Sequence, residues 1–310
     1  MVQGKQAKTE SSMLRMCYVM AVIVGLAGSA SALSTLEINE IYNEAKSTTD
    51  KEIAKNAIQQ LSDVIGSGEL NNLAQVRIGH LYIHLNQKDS AAAVFERLIE
   101  SDPQSADGHL GLGLVKMDLR NRPRGSISHL QAAVAADSTR ADAHYALARA
   151  YLRTTRTTKG RKSADQAIRH NAKYAPPYLL LAKLYQREHK VEAAHAFYKN
   201  YLEQNPDDQT AAHAFAVELV KQKKYKEAEE LAVRLGGTSG LPILAQTLIN
   251  DRDYEGALMA FQSYIGGLSS EEQGLYEDIS LVGLPREVRA YQSTTPETRE
   301  RFLRNFWLAK

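Results

Sequence analysis

Small residues recur along this chain at an almost constant spacing, which constrains its fold more than any other feature. Successive positions are 34, 35, 34, 34, 34 and 29 residues apart, and they are Ala57, Ala91, Ser126, Gly160, Ala194, Ala228 and Ala257. A period in this range is typical of stacked pairs of helices. Composition agrees, because only 8 of the 310 residues are proline and no long segment alternates apolar and polar residues as a strand would. We therefore predict an all-α fold, an α–α superhelical solenoid of about six to seven helix–turn–helix units.

Two segments show what else repeats within a unit. Each has a small residue and then an aromatic residue in its first helix, an alanine and a second aromatic residue in its second helix, and a proline at its end. The residues are Gly79, Tyr82, Ala91, Phe95 and Pro103 in one segment, and Ala182, Tyr185, Ala194, Tyr198 and Pro206 in the other. This pattern resembles the tetratricopeptide repeat (TPR). The resemblance extends over residues 38–267, with a divergent first unit and one extra residue near Asn121. It implies two antiparallel helices per unit and a concave groove lined by the first helices.

The first 32 residues have a different composition. Basic residues at the start precede an apolar run at residues 17–28, and the small residues Ala30 and Ala32 follow it. This pattern is typical of a secretory signal peptide. We expect cleavage near Ala32 and export to the periplasm or the medium. The run is shorter than the roughly 20 residues that span a bilayer, and an uncleaved membrane anchor is the alternative. A start at Met13 would give a more usual signal length.

The 34-residue period ends near Gly267, which predicts three regions. They are a signal peptide at residues 1–32, a solenoid at 33–267 and a helical segment at 268–310. We expect helices to begin near Ser269, Leu284 and Thr295, and the last one has an apolar face that could dock on another protein, formed by Phe302, Phe306 and Trp307. The segment resembles the opening of the GWxTD domain, although the motif that names this domain is absent. It is therefore either a cap of the solenoid or the start of a further domain in a longer protein.

Catalytic and metal-binding patterns are missing from the sequence. His80 and His84 are four residues apart on one helix, but no cysteine or carboxylate completes a metal site with them. The only cysteine, Cys17, lies in the predicted signal peptide, so the mature chain would have no thiol. No glycine-rich phosphate loop follows a strand. We expect His109 and His144 to fill space in the repeat. We predict no enzyme activity, no metal or other cofactor and no small-molecule substrate.

A nucleic acid is also not expected as a partner. The formal net charge is only +2, so the chain has no strong field that would attract a polyanion. A basic turn at residues 153–162 lacks interleaved aromatic residues on which bases could stack. This turn is more simply a solvated connection between two helices.

Positions in the repeat assign residues to the concave groove. The resemblance implies an apolar early part and a basic later part, and the groove residues we select for partner binding are Leu110, Leu114, Tyr145, Arg149, Arg153, Lys183, Arg187 and Lys221. The basic residues among them are either paired with nearby acids or form a seat for an acidic or C-terminal carboxylate peptide, because arginine binds carboxylates bidentately. The carboxylate clamp of chaperone-binding family members needs lysine and asparagine where this chain has Val76 and His80.

Two functions remain open from the sequence. The first is a non-enzymatic scaffold that binds a protein or peptide in its concave groove. The alternative is an assembly module of an envelope or secretion complex that docks through its last helix. They differ in the surface that matters, because only the second depends on residues 296–310. The sequence specifies neither the partner nor the oligomeric state.

Overall fold

The computed structural model describes residues 33–63, 65, 70–118, 123–277 and 284–308, without the side chains of a few of these residues. The predicted signal peptide and the extra residue near Asn121 lie outside this part of the chain. Helices are the regular structure found in it. None of these helices combines the length and the apolar character needed to cross a membrane.

The helices belong to two compact units, one ending at His170 and one beginning at Asn171. The first unit contains α1 (Thr35–Ser47), α2 (Lys51–Ser62), α3 (Asn71–His84), α4 (Lys88–Ser101), α5 (Ala106–Asp118), α6 (Pro123–Ala136), α7 (Ala141–Arg153) and α8 (Thr157–His170). The second contains α9 (Pro176–Arg187), α10 (Val191–Gln204), α11 (Gln209–Lys221), α12 (Tyr225–Leu235), α13 (Gly237–Asn250), α14 (Tyr254–Gly266), α15 (Ser270–Glu277), α16 (Pro285–Gln292) and α17 (Pro296–Leu308). Helices that follow one another pack as hairpins, so the predicted all-α array of stacked helix pairs is confirmed.

The recurring small residues lie where the sequence predicts them, at contacts between helices. Each is in the second helix of a pair, from Ala57 in α2 to Ala257 in α14, and all seven are buried. A larger side chain at such a position would push the two helices of a hairpin apart, because protein interiors are already close-packed. The 34-residue period is therefore the spacing of buried small residues in the second helices of the hairpins.

The turns inside five of the hairpins have the same backbone geometry. One residue adopts a positive φ of 57–65°, and these residues are Asn86, Thr155, His189, Lys223 and Arg252. The amide of the residue that follows each of them donates to a carbonyl five residues earlier, as from Gln87 to Tyr82 at 2.8 Å and from Arg156 to Tyr151 at 2.9 Å. This closes the first helix with a left-handed cap. The two helices of each of these hairpins are joined by three residues, which places the second helix against the first.

Phe95 packs closely against two glycines in the first unit. Its ring is fully buried and lies between two glycines of neighbouring first helices. A Cβ atom on Gly79 would come within 2.5 Å of the ring, and one on Gly111 would also overlap it. Glycine at these two positions lets α3 and α5 approach the ring from both sides.

An arginine joins α5 to α7 at their N-terminal ends. The Arg140 guanidinium donates to Asp107 at 2.5 Å and to Asp142 at 2.6 Å. Burial raises the pKa of Asp142, but the hydrogen bonds and the charge of Arg140 outweigh that effect and the pKa is lowered overall. The pair with Asp107 bridges 33 positions, about one repeat, and it holds successive hairpins in register.

The segment after Gly267 contains helices close to the predicted starts. Ser269 and Glu272 form the expected capping box, with Ser269 N donating to Glu272 Oε2 at 3.0 Å and Glu272 N donating to Ser269 Oγ at 3.3 Å. Helices α16 and α17 begin at Pro285 and Pro296, where the missing amide hydrogen of proline costs no helix bond. The helix starts of this segment could thus be located from capping residues alone.

Candidate functional site

A cavity of about 200 Å³ opens on the first helices of three consecutive repeats in the first unit. It is lined by His80, Ile83, Lys88, Leu114, Val115 and Arg149. His80, Leu114 and Arg149 occupy similar places in α3, α5 and α7, at steps of 34 and 35 residues. Stacking of the repeats therefore brings together side chains that are distant in sequence. We call these six residues the concave pocket.

The concave pocket combines apolar walls with cationic groups. Val115 is buried and Ile83 and Leu114 are partly buried, while the ammonium of Lys88 and the guanidinium of Arg149 supply positive charge. Such a combination suits a ligand that has an aliphatic part next to a carboxylate. The predicted groove residues Leu114 and Arg149 line the same pocket, as the repeat register implies.

His80 contributes a neutral ring to this pocket. The imidazole lies edge-on to Phe95, with centroids 5.7 Å apart, and its centroid is 6.4 Å from that of Tyr42. Burial lowers the pKa of His80 to about 4, and the nearby Arg77 contributes to this shift. The ring is therefore uncharged at neutral pH, and the positive charge of the concave pocket comes from Lys88 and Arg149.

Arg149 is available to a ligand. Its guanidinium lies 5.8 Å from the centroid of Tyr145. In the described part of the chain it makes no ion pair with a carboxylate. Arg153, a second predicted groove residue on α7, is exposed, but its Nη1 donates to the carbonyl of Met117 at 3.2 Å. Arg153 therefore helps to tie the end of α5 to α7.

The second unit carries the other predicted cations. Lys183 and Arg187 are exposed on α9, and Lys221 is exposed on α11. Among the described residues, none of the three forms an ion pair. Lys183 acts at longer range on Asp208, whose pKa is lowered mainly by a hydrogen bond from Tyr201 and to a lesser extent by this lysine. The interpretation that these basic side chains are paired with nearby acids therefore does not apply to Lys183, Arg187 or Lys221.

The second unit contains a buried carboxylate that was not predicted from the sequence. Glu218 on α11 is 8% exposed and accepts hydrogen bonds from Gln186 at 2.9 Å and from Gln222 at 3.2 Å. The hydroxyl of Tyr198 completes the network by donating to Gln186 at 3.0 Å. The available signal was a single acid within the apolar stretch at residues 214–220, which is unusual unless the acid has partners.

The assignment of Leu110 to the groove is wrong. Leu110 is only 4% exposed and belongs to a core cluster with Met117, Ile127 and Leu130. Its side chain packs α5 against α6 and cannot contact a partner on the surface. Repeat positions locate a residue along a helix, but a small rotation of that helix decides whether the side chain faces the groove or the core.

The proposed docking face on the last helix also requires correction. Phe306 is buried, and its ring stacks on Phe302 with centroids 6.4 Å apart. Phe302 in turn contacts Tyr291 of α16, with ring centroids 5.8 Å apart. Helix α17 packs on α14 and α16, so Phe306 faces its own unit. The side chain of Trp307, the third residue of that face, lies outside those described.

The other histidines behave mostly as packing residues. His109 and His144 are partly or fully buried, as predicted, and each bonds a carbonyl six residues earlier, Pro103 at 3.0 Å and Ser138 at 2.9 Å. His84 bonds the carbonyl of Thr48 at 3.1 Å and does not line the concave pocket. In the part of the chain that the structure describes, no group of three metal-binding side chains occurs.

Comparisons with known proteins identify the repeat. Two tetratricopeptide repeat families match the chain, at residues 74–105 and at residues 110–176. PilF from Pseudomonas aeruginosa has a similar structure, with a TM-score of 0.54 and 19% identity over 72% of this chain and 96% of that one. No curated protein matches the chain. The chain therefore contains tetratricopeptide repeats.

Two further solved structures share the fold. YrrB, described as a TPR protein with an unusual peptide-binding site, has a TM-score of 0.50 and 17% identity over 60% of this chain and 97% of that one. TTC0263, a thermophilic TPR protein of Thermus thermophilus, has a TM-score of 0.50 and 18% identity over 59% of this chain and 99% of that one. At such identities the likeness concerns the fold. Together with the repeats, it supports a protein-interaction scaffold, a class that is generally non-catalytic.

Proposed function

We propose that the concave pocket of the first unit binds the C-terminal residue of a protein or peptide partner. The observation that carries this proposal is the position of Arg149, a cation without an ion pair in the described chain, beside the apolar walls formed by Ile83 and Leu114. A chain terminus is the ligand that places a carboxylate and a side chain on the same carbon atom. Arginine can accept that carboxylate in a bidentate geometry.

The dimensions and the electrostatics of the pocket favour a single aliphatic residue. About 200 Å³ is below the roughly 300–1,000 Å³ common for small-molecule sites. The uncharged ring of His80 adds a polar but neutral wall, so the ligand needs no second acid at this point. A terminal leucine, valine or isoleucine fits these walls better than an internal aspartate or glutamate, whose surroundings would remain polar.

The second unit supports a further contact with an acidic partner. Lys183, Arg187 and Lys221 are exposed there and would attract acidic residues of a partner. Such exposed charges increase the rate of association more than the affinity.

We also propose that the chain is exported, with residues 1–32 removed. The mass of the mature protein tests this point, because cleavage after Ala32 gives a chain that begins at Leu33.

Replacement of Arg149 by glutamate should weaken the binding of terminal peptides by about 100-fold or more, because an attractive hydrogen-bonded charge becomes a repulsive one. The measurement is selection from a library of peptides displayed with free C-termini, followed by fluorescence anisotropy on the selected peptides. Arg156→Glu is the matched control, since Arg156 is an exposed arginine of the nearby basic turn and does not line the concave pocket. Equal affinity of the two variants would overturn the proposal.

A further inference from the structure

A chain of polar contacts runs through the α5–α6 hairpin. Lys116 Nζ lies 3.0 Å from His129 Nε2. The Nδ1 atoms of His129 and His109 are 3.3 Å apart, and His109 Nε2 is 3.0 Å from the carbonyl oxygen of Pro103. These hydrogen-bond contacts therefore link the end of α5, the middle of α6, the start of α5 and the loop before α5.

The Lys116 ammonium at one end of this series of contacts and the Pro103 carbonyl at the other determine the position of each imidazole proton. An ammonium group can only donate and a carbonyl oxygen can only accept. Lys116 must donate to His129 Nε2, so the proton of His129 is on Nδ1 and is donated to His109 Nδ1. The proton of His109 is then on Nε2 and is donated to Pro103. Both imidazoles are neutral, and each has a single allowed tautomer.

An added proton has no arrangement that keeps these contacts. A proton on His129 Nε2 would face the ammonium of Lys116, and a proton on His109 Nδ1 would face the N–H of His129. Moving the His129 proton to Nε2 relieves the second conflict only by creating the first. The pKa of His129 agrees with this, because it is lowered first by burial and then by electrostatic repulsion from Lys116 and from His109.

We propose that protonation of the Lys116–His129–His109 chain loosens the α5–α6 hairpin, so that this repeat is an acid-sensitive element of the solenoid. The two helices are joined by this chain at residues that are only partly buried, so a proton can reach it from solvent. Leu114 and Val115 are on α5 and line the concave pocket. Acid would therefore also release a ligand from that pocket, a consequence that rests on the proposed function, whereas the loosening itself does not.

The next hairpin provides an internal comparison. His144 on α7 and His170 on α8 stack with centroids 5.2 Å apart, and His144 Nε2 lies 2.9 Å from the carbonyl oxygen of Ser138. In the described part of the protein no lysine forms a hydrogen bond with either ring. Both hairpins thus contain a histidine bonded to a backbone carbonyl. Only the α5–α6 hairpin of the two also has an ammonium group, that of Lys116, bonded to a histidine.

Two measurements on the full chain without any ligand test the proposal. Nitrogen-15 NMR at neutral pH should show His109 protonated on Nε2 and His129 protonated on Nδ1. Amide hydrogen exchange, corrected for the intrinsic rate at each pH, should show protection in α5 and α6 falling about tenfold more than in α7 and α8 between about pH 7 and 4.5, the effect of losing one or two hydrogen bonds. The readout is independent of the peptide site.

The variant Lys116→Gln separates this chain of contacts from a general effect of acid. A glutamine amide can turn to offer either a donor or an acceptor, so His129 can be protonated without conflict and the selective loss of protection should disappear. Lys199→Gln, in an exposed ion pair of the second unit, is the matched control and should behave as the unmodified chain. The opposite tautomers, equal loss of protection in both hairpins, or selective loss that persists in Lys116→Gln would each overturn the proposal.

Discussion

Replacing Phe95 with alanine should lower the free energy of unfolding by about 3–5 kcal/mol, among the largest effects expected of a core substitution. The ring is fully buried, and it fills the space between α3 and α5 that Gly79 and Gly111 leave open. Alanine would remove the contacts of the ring with both α3 and α5 and leave a cavity between these two helices. Chemical denaturation followed by circular dichroism measures the loss.

The same packing predicts a coupling between Phe95 and Gly111. Gly111→Ala should cost about 1–3 kcal/mol in the natural background because the new methyl group overlaps the ring, and less when Phe95 is already leucine. Gly125→Ala is the matched control, since a Cβ atom there meets nothing within 4 Å, and alanine favours the helix. If Gly111→Ala were as harmless as Gly125→Ala, the close approach of α5 to the ring would be contradicted.

The chain should lose stability as the pH falls from about 6.5 to about 4, and His80 should account for up to about 3 kcal/mol of the loss. The pKa of His80 is lowered from 6.5 to about 4 by burial and by Arg77. Within this range the unfolded chain binds a proton at His80 that the folded chain does not. Stability from the neutral ring is therefore complete above the unfolded pKa and decreases towards the folded pKa.

His80→Phe isolates this effect. Phenylalanine keeps a ring against Phe95 and Tyr42 but does not titrate, so the difference in the free energy of unfolding between about pH 7 and 4.5 should become smaller than in the natural chain. His84→Phe is the comparison, because His84 does not line the concave pocket. If the free energy of unfolding of His80→Phe depended on pH as in the natural chain, the His80 imidazole would not be shielded from solvent. A pKa of His80 near its ordinary value of about 6.5, measured by NMR, would show the same.

Much of the fold follows from the sequence because it depends on short-range rules repeated many times. Helix-forming segments, capping residues and small residues at a 34-residue spacing define hairpins, and a hairpin can bury its apolar face only against its neighbours. The same register placed Leu114 and Arg149 in one pocket. It failed at Leu110 because a repeat position does not specify the rotation of a helix. The docking face that included Phe306 was assigned from the apolar pattern of the last helix, and that pattern does not show whether the face packs on its own unit.

Polar contacts between helices were the least predictable features. Arg140 with Asp107, Glu218 with Gln186, and His129 with Lys116 join residues 13 to 33 positions apart. Each depends on side-chain geometry that emerges only after the hairpins have packed. Charged and polar residues on a helix have the same appearance in sequence whether they face solvent, a ligand or one another. The location of a buried acid or a histidine pair therefore required the structure.

The binding of one peptide in two chemical forms tests the central claim most directly. A peptide that ends in an aliphatic residue and is selected by the protein is titrated calorimetrically once with a free carboxylate and once as the C-terminal amide. We expect the free acid to bind at least about tenfold more tightly, since a hydrogen bond to a charged group contributes about 1.5–3 kcal/mol, and we expect Arg149→Glu to remove that difference. Equal affinity of the acid and the amide for the natural chain would contradict a terminal carboxylate site in the concave pocket.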